Sequence, residues 1–515
     1  MKYKFNNFYE IITFQAKKRK NKVALLIDDQ KVTYKEILEA TDRLAAFLSQ
    51  KGVKEGDKVA LFLRNSPEFI YSIFAISKLG AILVPINTFL KEEELNYILQ
   101  DSGSSILLAS TIHEKVIDSS QANTLCSFIV WEGDKKTEGD DLFRFNEIIK
   151  SGVSVEHRQR GFEETAIIIY TSGTTGKPKG AMLSNRNIIS NVFSGQKTVN
   201  VKARDRAIVF LPMFHSFTFS IGVMLPLSVG GSLVIIKSIT PFSNIFKQIL
   251  KKRVTLFFGI PNVYNALAKA KLPWYFLWFN RIRSFISGAA ALQPKTLDAM
   301  AKKFKRATLL EGYGLSEASP AVSMNTLKKQ KAGSVGTALY GYEIKIVDGD
   351  MNELPYGGIG DIIVRGDNVM QGYLGRPEAT SEAIVNGWLL TGDMGYMDDE
   401  GFLFIVDRKK DLIISKGINI YPREIEEVID VYEGVGSSAV IGIVDEKSGE
   451  APIVYIELAE GTESFDEAGL KKYMREHLAN YKIPKQIYVI EELPKNATGK
   501  VLKRVLKDRL KKDEA

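Results

Sequence analysis

Cysteine is almost absent from this chain of 515 residues, which contains a single one, Cys126. One thiol excludes an internal disulfide and is typical of proteins from a reducing compartment, so we expect a cytoplasmic location. Cys126 lies in an apolar stretch, residues 125–131. Such surroundings favour a buried structural thiol over a nucleophile.

Apolar runs of the kind that target or anchor a protein are also scarce. The first ten residues lack the apolar core of a signal peptide. Residues 207–236 carry no Lys, Arg, Asp or Glu and are numerous enough for a membrane-spanning helix. However, prolines and glycines interrupt the run at Pro212, Gly222, Pro226, Gly230 and Gly231. We therefore predict a buried strand, a loop, a helix and a second strand here.

Acidic residues are fewer than basic ones, 61 against 69, which leaves a formal charge of +8. This mild excess favours anionic small molecules, or peripheral contact with an anionic membrane surface. The sequence has neither the ligand spacing of a zinc module nor an aromatic-glycine RNA motif, so we predict no nucleic-acid partner. The basic run at residues 500–512 has helical spacing and predicts a solvated terminal helix.

Apolar residues are plentiful: 45% of the chain is hydrophobic and 25% is charged, as in a globular enzyme. The length indicates either one large multi-layer unit or two to three domains. Residues 58–63, 67–79 and 81–85 predict a strand, a helix and a strand, which together make a βαβ unit. Further strand-like runs alternate with helical patterns, at residues 105–109, 166–170, 207–211, 232–236 and 255–258. The pattern predicts an α/β fold with helix-flanked, mostly buried sheets.

The pattern changes twice towards the end of the chain. Residues 333–365 contain short strands with Gly and Pro turns, which predict a small β-barrel-like subdomain. The charged pentad at residues 407–411 separates two apolar runs, and a new α/β pattern follows it. We therefore predict a large N-terminal domain, residues 1–409, and a small C-terminal α/β domain, residues 410–515.

A loop rich in hydroxyl groups, glycine and lysine follows the predicted strand at residues 166–170. Glycines let the backbone approach phosphate oxygens, while hydroxyl and ammonium groups supply hydrogen bonds and positive charge. A Walker loop has four residues between its first Gly and its Gly-Lys pair, whereas here Gly173 and Gly176 are separated by two and Pro178 follows Lys177. We predict a different phosphate loop, made of Thr171, Ser172, Gly173, Thr174, Thr175, Gly176 and Lys177.

This loop resembles the phosphate loop of the adenylate-forming superfamily, which includes acyl-CoA synthetases, luciferases and the adenylation domains of peptide synthetases. Segments similar to the other family motifs follow in the same order, at residues 210–215, 287–291, 311–317, 388–393, 408–410, 415–419 and 494–500. Residues 309–323 look most like bacterial long-chain fatty acid–CoA ligases. The resemblance implies a mobile C-terminal domain and a reaction in which ATP converts a carboxylic acid into an acyl-adenylate, releasing pyrophosphate.

The resemblance also implies where ATP and Mg²⁺ bind. Adenine would lie against small residues and stack on an aromatic ring, within a set comprising Gly288, Ala289, Ala290, Glu311, Gly312, Tyr313, Gly314 and Ser316. Glu317 would hold Mg²⁺, and Thr171 would be its second protein ligand. Mg²⁺ suits such a site, because it takes few carboxylates together with phosphate oxygens.

The C-terminal motifs imply ribose, hinge and coenzyme A residues. Asp393 and Arg408 would bind the ribose hydroxyls, and Lys500 would act in adenylate formation. Lys410 matches the position at which the small domain pivots. After the pivot, a loop would line the channel for coenzyme A, with Lys416, Gly417 and Ile418 as its residues.

His215 matches the residue that positions the substrate carboxylate, and it completes the implied catalytic set of Lys500, His215, Thr171 and Glu317. The apolar residues around it would line an acyl pocket made of Phe214, His215, Phe217, Phe219 and Gly259. The same apolar residues would serve equally as ordinary core. We expect a fatty acid as the substrate, with ATP and coenzyme A as co-substrates, while medium-chain and aryl acids stay open.

Other functions within the family also stay open. The acyl group could pass to a carrier protein, or the adenylate could be oxidised as in luciferases. A binding protein without activity would be expected to have lost Lys500, Glu317 or Asp393, and all three are present. The sequence leaves the choice between monomer and homodimer undecided.

Overall fold

The computed structural model describes residues 3–133, 142–150, 156–158, 161–171, 177–237, 243–288, 292–416, 418–445, 448–459, 461–462, 465–495 and 499–513. Its backbone divides into two compact units. The first unit comprises residues 1–331, 336–343 and 364–389, and the second comprises residues 332–335, 344–363 and 390–515. The predicted domain boundary between residues 409 and 410, with Lys410 as the hinge, lies within the second unit and stays a prediction.

The first unit contains two large sheets. Among the described residues, one sheet has nine strands, in the spatial order Thr337–Ala338, Ala321–Met324, Thr308–Gly314, Ser284–Ser287, Leu256–Gly259, Arg206–Val209, Ser232–Ile235, Val23–Ile27 and Gln30–Thr33. The central pairings of this sheet are parallel, and antiparallel strands close both of its edges. Parallel central strands are buried on both faces, which explains their nearly continuous apolar sequences.

The other sheet of the first unit has eight strands among the described residues. Their spatial order is Gly372–Tyr373, Lys179–Ser184, Thr165–Thr171, Ile82–Pro85, Lys58–Phe62, Ile106–Ser110, Phe128–Glu132 and Leu142–Arg144. Strands Lys58–Phe62 and Ile82–Pro85 are parallel, and helix Pro67–Lys78 connects them, which confirms the predicted βαβ unit. Ser66 caps this helix by accepting a hydrogen bond from the backbone N–H of Phe69.

Helices cover the sheets of the first unit. The α-helices are Phe8–Lys18, Tyr34–Gln50, Pro67–Lys78, Glu92–Ser102, Glu114–Ser119, Ala122–Leu125, Phe145–Ile148, Asn185–Val199, Leu225–Ser228, Ser243–Lys252, Pro261–Lys269, Trp274–Phe279, Pro294–Lys303 and Pro377–Ala383. Short 3₁₀ turns occur at Thr111–His113 and Ser316–Ala318, and a π-helical turn at Thr218–Met224. The uncharged run forms strand, loop, helix and strand as predicted, and no helix among the described residues has the length and hydropathy needed to cross a bilayer.

Two smaller sheets follow. The strands of one are Glu343–Val347, Gly360–Arg365, Trp388–Met397 and Ile384–Val385 in spatial order, and Leu403–Arg408 pairs with Trp388–Met397. The strands of the C-terminal sheet are Ile418–Ile420, Ile413–Ser415, Gly449–Leu458 and Val435–Asp445, and Ile487–Ile490 pairs with Gly449–Leu458. The α-helices beside it are Pro422–Ile429, Glu467–His477 and Lys503–Asp513, with 3₁₀ turns at Lys409–Asp411 and Asn480–Lys482. The α/β class, with a large N-terminal and a small C-terminal part, is thereby confirmed.

The basic tail forms the helix Lys503–Asp513, and this helix is attached to the C-terminal sheet by its apolar residues. Leu506 and Leu510 are buried in a cluster with residues of strands Val435–Asp445 and Gly449–Leu458. Lys503, nearly buried, pairs with Glu426 at 2.7 Å. The tail is therefore amphipathic: one face packs on its own domain and the other carries the charges.

Cys126 is buried as predicted, with 7% of its surface exposed. Its thiol faces the carbonyl oxygen of Ser104 at 3.9 Å, and burial raises the pKa of the thiol to about 12. A thiol with so high a pKa has almost no thiolate at neutral pH and is chemically inert.

We predict that the native protein does not react with an aromatic disulfide reagent at about pH 8, because the thiol is both buried and protonated. In guanidinium chloride the same protein should release one equivalent of chromophore per chain, which serves as the control. Stoichiometric labelling of the native protein within minutes would contradict this assignment.

Candidate active site

The predicted phosphate loop closes a β-hairpin. Strands Thr165–Thr171 and Lys179–Ser184 are antiparallel, and Thr171 lies opposite Lys179 at the open end of the loop. The central loop residues lie outside the described residues: Ser172, Gly173, Thr174, Thr175 and Gly176. Thr171 and Lys177 are therefore the two described members of the predicted loop, one at each of its ends.

Hydrogen bonds fix the base of this hairpin to helix Glu92–Ser102. The Tyr170 hydroxyl donates to Asp101 Oδ2 at 2.8 Å, and Arg376 Nη2 donates to Asp101 Oδ1 at 2.6 Å. On the other side of the loop, the Tyr97 hydroxyl donates to the Pro178 carbonyl at 3.0 Å. Burial and the Asp101 carboxylate raise the pKa of Tyr170, so it stays a proton donor. Hydrogen bonds thus hold the residues on both sides of the loop.

Glu317 is brought to the end of the strand that leads into the loop. Its Oε1 accepts hydrogen bonds from Thr171 Oγ1 and from the Tyr373 hydroxyl, both at 3.1 Å. Burial and the charge of Glu317 raise the pKa of Tyr373, which keeps this donor protonated. Thr171 and Glu317, the two predicted metal ligands, therefore lie in direct contact.

This donor set fits Mg²⁺ better than it fits a metal held by protein alone. The described residues contain no cluster of three or more His, Cys, Asp or Glu side chains suited to a metal ion. One carboxylate and one hydroxyl leave most coordination positions to water and phosphate, which is the usual arrangement for Mg²⁺ in nucleotide enzymes.

Two lysines add positive charge to this region of the first unit. Lys179 Nζ lies 5.2 Å from the ring centroid of Tyr373, and Lys177 Nζ lies 5.4 Å from that of Tyr97. Lys177 is exposed. Contacts with aromatic faces order the stems of both lysines, so the C-terminal end of the loop presents positive charge to an anion.

His215 is half-buried and neutral at physiological pH. The backbone N–H of Phe217 donates to its Nδ1 at 3.3 Å, which places the ring proton on Nε2. Burial lowers the pKa of the ring to about 4. Because a histidine is neutral above its pKa, His215 offers one N–H donor and no positive charge near pH 7.

The ring of Phe217 joins the histidine segment to the predicted adenine segment. A Cβ added at Gly288 would meet Phe217 Cε2 at 3.4 Å, an ordinary van der Waals distance, so the ring lies beside this glycine. The Phe217 ring also contacts Phe258 edge-on, with centroids 6.2 Å apart. At the next position, Gly259 accommodates the Tyr264 ring and hydroxyl, which a side chain there would meet at 2.8 Å. These residues form one apolar region beside His215.

The two other predicted pocket residues have different environments. Phe214 is buried and contacts the exposed Phe89 edge-on, with centroids 6.4 Å apart. Phe219 is fully buried and packs on Phe8 of the first helix, with centroids 5.9 Å apart. Their part in an acyl pocket stays a prediction.

Strand Thr308–Gly314 supplies the segment predicted to hold adenine. Buried Glu311 accepts a hydrogen bond from the backbone N–H of Leu292 at 3.2 Å, whereas Ala289 and Ala290 lie outside the described residues. At Gly312 a side chain would meet the carbonyl oxygen of Ser323 on the next strand at 3.0 Å, and at Gly314 it would clash with the carbonyl oxygen of Pro320. Tyr313 between them is half-buried.

A short contact joins the histidine motif to the glutamate motif. The hydroxyls of Ser216 and Ser316 lie 3.1 Å apart. Ser216 follows His215 and Ser316 precedes Glu317, so one hydrogen bond fixes the two motifs side by side.

The second unit holds the predicted ribose residues and Lys500. Asp393 and Arg408 are paired across adjacent antiparallel strands, and Arg408 Nε lies 3.3 Å from Asp393 Oδ1. The pKa of the Lys500 ammonium is lowered to about 8, first by burial and then by the charge of Arg408, while Asp393 and Asp411 oppose the decrease. The charges of Asp393, Arg408 and Asp411 thus all act on Lys500, although this lysine lies far from them in the sequence.

The predicted hinge and coenzyme A residues also lie in the second unit. Burial lowers the pKa of Lys410, and the charge of Arg408 adds to the effect. Lys416 has a left-handed backbone with φ of 50°, and its N–H donates to the Ser448 carbonyl at 2.7 Å. Gly417 lies outside the described residues, and Ile418 is 47% exposed. An exposed apolar residue on a fixed turn suits contact with a mobile ligand, but this role stays a prediction.

Residues 12–374 match the family described as AMP-binding enzyme, and residues 424–500 match the AMP-binding enzyme C-terminal domain. The chain belongs to the AMP-binding enzyme family. The resemblance to the adenylate-forming superfamily is confirmed.

The relatives of this AMP-binding enzyme span nearly its whole length. It is 34% identical to a long-chain-fatty-acid–CoA ligase of Escherichia coli O6:H1 over 510 residues, which cover 93% of this chain and 90% of the relative. It is equally 34% identical to a feruloyl-CoA synthase of an Amycolatopsis species, with 92% of each chain covered. The crystal structure of the anthranilate CoA ligase AuaEII with anthranoyl-AMP superposes with a TM-score of 0.91 at 28% identity, covering 99% of this chain and 98% of the other.

Sequence reasoning did not find two residues that shape the site of this AMP-binding enzyme. Tyr373 donates to Glu317 from 56 residues away, and Asp101 accepts from Tyr170 across 69 residues. Neither residue stands in a local pattern that distinguishes it from a surface tyrosine or a helix-end aspartate. Such partners become visible only once the strands are paired.

We predict that the Lys500 amine of this AMP-binding enzyme titrates near a pKa of about 8 rather than 10.5. Arg408→Gln should raise that pKa because it removes a charge that disfavours the ammonium, and Asp393→Asn should lower it further. The check is the pH dependence of Lys500 acylation by trace acetic anhydride, followed by peptide mass spectrometry. A wild-type value near 10.5, or no response to Arg408→Gln, would contradict this electrostatic assignment.

Proposed function

We propose that this AMP-binding enzyme is an ATP-dependent acid–thiol ligase that activates a long-chain fatty acid as its acyl-adenylate and transfers the acyl group to coenzyme A. The observation that carries the proposal is the contact of Glu317 with Thr171 at the mouth of the phosphate loop. That contact places a carboxylate able to hold a cation beside a loop suited to phosphate, as nucleotide activation requires.

The first half-reaction joins the acid to AMP. A carboxylate oxygen of the fatty acid attacks the α-phosphorus of ATP, the bond to the bridging oxygen breaks, and pyrophosphate leaves with the electron pair. The carboxylate is itself the nucleophile, so the protein needs neither a base nor a nucleophile. Its contribution is alignment and neutralisation of charge on phosphate oxygens.

Lys500 suits the neutralising role in adenylate formation. Its pKa of about 8 leaves the ammonium form dominant near pH 7, and the form is lost as the pH rises through that value. Partial burial strengthens its attraction to a phosphate oxygen, because surrounding water screens the charge less. Asp393 and Arg408 would hold the ribose hydroxyls in the same unit.

Thr171 and Glu317 would hold Mg²⁺ together with phosphate oxygens. When bound, Mg²⁺ neutralises phosphate charge. The Tyr373 hydroxyl donates to Oε1 of the same carboxylate and therefore fixes its orientation.

His215 would orient the substrate carboxylate. Its neutral ring presents Nε2–H, which can donate to one carboxylate oxygen while leaving the other free to attack. A neutral donor suits this task, because a positive charge would hold the carboxylate too tightly to let it react.

The second half-reaction transfers the acyl group. The sulfur of coenzyme A attacks the acyl carbonyl, the bond to the phosphate oxygen of AMP breaks, AMP leaves, and the thiol proton passes to solvent. We assign Lys410 as the pivot between the two half-reactions, and Lys416, Gly417 and Ile418 to the thiol channel. A hinge would allow one chain to present Lys500 first and the channel loop afterwards.

Two classes of carboxylic acid are candidates for the natural substrate. A long-chain fatty acid is favoured by the apolar region of Phe217, Phe258 and Gly288 beside His215, and by the ligase of Escherichia coli named above. An aryl acid is the second candidate, because the feruloyl-CoA synthase is equally similar. Transfer to a carrier protein in place of coenzyme A is the further alternative.

We predict that Lys500→Ala lowers the rate of acyl-adenylate formation by about 10²–10³-fold, because one charge that stabilises the transition state is removed. Transfer from purified acyl-adenylate to coenzyme A should change little. Pyrophosphate release and thioester formation measure the two steps separately.

The matched control is Lys495→Ala, since Lys495 pairs with Glu457 at 2.7 Å and lies opposite Val501 on the same hairpin. Equal loss of adenylation in both variants, or full adenylation by Lys500→Ala, would refute the assigned role. With wild type, thioester formed only from long-chain acids supports the proposal; preference for aryl acids, or pyrophosphate exchange indifferent to coenzyme A, supports the corresponding alternative.

We also predict that Glu317→Gln raises the Mg²⁺ concentration for half-maximal pyrophosphate release by about tenfold or more, because an amide is a much weaker ligand than a carboxylate. Tyr373→Phe keeps the carboxylate and loses one hydrogen bond, so it should change that concentration by only about threefold. An unaltered Mg²⁺ requirement in Glu317→Gln would remove this residue from the metal site.

A further inference from the structure

The helix Trp274–Phe279 in the first unit exposes an unusual amount of aromatic surface. Trp274 is 74% exposed, Trp278 and Phe279 are each 62% exposed, and Tyr275 is 48% exposed. These large aromatic side chains stand within six residues of one another on a single short helix. Contiguous apolar patches on a water-facing surface mark contact sites for partners or membranes.

The helix is firmly attached beneath this patch. Phe276 is 2% exposed and packs in the core below it, with its ring centroid 5.0 Å from that of Phe246. Lys303 Nζ donates to the carbonyls of Leu267 and Ala270, just before the helix, at 2.9 and 2.8 Å. The exposed rings therefore belong to a fixed element that presents them to the surroundings.

Positive charge surrounds the aromatic patch. Arg306 lies 5.1 Å from the ring centroid of Trp278 and donates to its carbonyl oxygen at 2.9 Å, so the segment that ends at Arg306 borders the helix. The exposed cations that flank the helix or lie on this bordering segment are Lys269, Lys271, Arg281, Lys302, Lys305 and Arg306. Aromatic side chains framed by lysine and arginine are typical of elements that rest at a bilayer interface.

The sequence around the helix has a strongly one-sided charge. Residues 206–297 contain eleven Lys and Arg and no Asp or Glu, whereas the whole chain carries a net charge of only +8. The helix lies in this stretch, and the next acidic residue is the exposed Asp298. Three of the eleven cations pair with acidic residues from outside the stretch, namely Lys237 with Asp28, Lys251 with Asp29 and Arg283 with Asp205. The exposed cations that flank the helix attract an anionic surface and repel a second copy of the same surface.

We propose that helix Trp274–Phe279 is a membrane-surface anchor that places its aromatic rings among the headgroups of an anionic bilayer. Trp and Tyr suit this position because each has an apolar body and a polar tip, while the cations around them bind lipid phosphates. Six residues are far too few to cross the apolar interior, so the helix lies in the plane of the interface.

This anchor would give the enzyme access to its substrate, an extension that rests on the proposed function. Long-chain fatty acids partition into bilayers because each buried methylene contributes favourably to transfer from water. An enzyme held at the surface therefore meets its acid where the acid is concentrated. Membrane binding can be measured without any turnover, so it can fail or succeed independently of the ligase assignment.

The test uses the full-length protein in vesicle flotation without ATP, acid or coenzyme A. We expect binding to phosphatidylcholine vesicles that contain about 30 mol% phosphatidylglycerol, and about tenfold weaker binding to phosphatidylcholine alone. Raising NaCl from about 0.05 M to about 0.5 M should weaken it, because salt screens the cations. The triple variant Trp274→Ser, Trp278→Ser, Phe279→Ser should bind the anionic vesicles at least about tenfold more weakly.

The matched control is the double variant Tyr356→Ser, Val444→Ser, which removes apolar side chains that are 69% and 89% exposed elsewhere and should bind like wild type. A second readout uses lipids brominated in the acyl chain, which should quench the tryptophan fluorescence of wild type much more than that of the triple variant. Thermal unfolding of each variant monitors the fold.

Three results would overturn the proposal. One is equal flotation of the wild type and the triple variant. Another is equal affinity for neutral and anionic vesicles. The third is self-association of the wild type that the triple variant loses, without binding to vesicles, since that would make a second copy the occupant of the patch.

Discussion

The contacts of one carboxylate organise the nucleotide part of this enzyme. Glu317 accepts hydrogen bonds from Thr171 and Tyr373 through the same oxygen, and so it joins the end of the strand before the phosphate loop to two segments far along the chain. A buried or half-buried carboxylate must be paired, because leaving it unpaired costs several kcal/mol. Because this charge needs partners, Glu317 holds three segments next to one another: the end of the strand before the phosphate loop, the 3₁₀ turn Ser316–Ala318 and the edge strand Gly372–Tyr373.

In the second unit, the charges around Lys500 help to set the pKa of its amine. Asp393 and Arg408 lie opposite each other in an antiparallel pair, and their opposite charges act on Lys500 in opposite directions. The result is a lysine that is charged near neutral pH but close to losing its proton. The half-buried setting makes the remaining charge more effective on a phosphate than an exposed lysine would be.

The positive charge of the chain is distributed unevenly between two regions of the first unit, the phosphate loop and helix Trp274–Phe279. Lys177 and Lys179 follow the phosphate loop, whereas a second group of cations, which includes Arg306, flanks helix Trp274–Phe279 with its exposed aromatic rings. The basic tail, which we predicted as a solvated terminal helix, packs Leu506 and Leu510 on its own domain. The net charge of the chain favours anionic ligands in general, whereas the positions of the individual cations decide which class of anion each region can attract.

Local patterns in the sequence were sufficient to predict the α/β class, the βαβ unit at residues 58–85, the buried thiol of Cys126 and the family to which the chain belongs. They were sufficient because periodicity, glycine spacing and motif order are properties of the sequence itself. The contact of Thr171 with Glu317 followed from the family resemblance, yet Tyr373, Asp101 and the pairing of Ser216 with Ser316 did not. Those partners lie 56 to 100 residues apart in the chain, and only the tertiary fold brings them within hydrogen-bonding distance. The exposure of the aromatic helix was likewise decided by tertiary structure, because a run of aromatic residues has the composition of a core, and only the packing of Phe276 determines which rings remain outside.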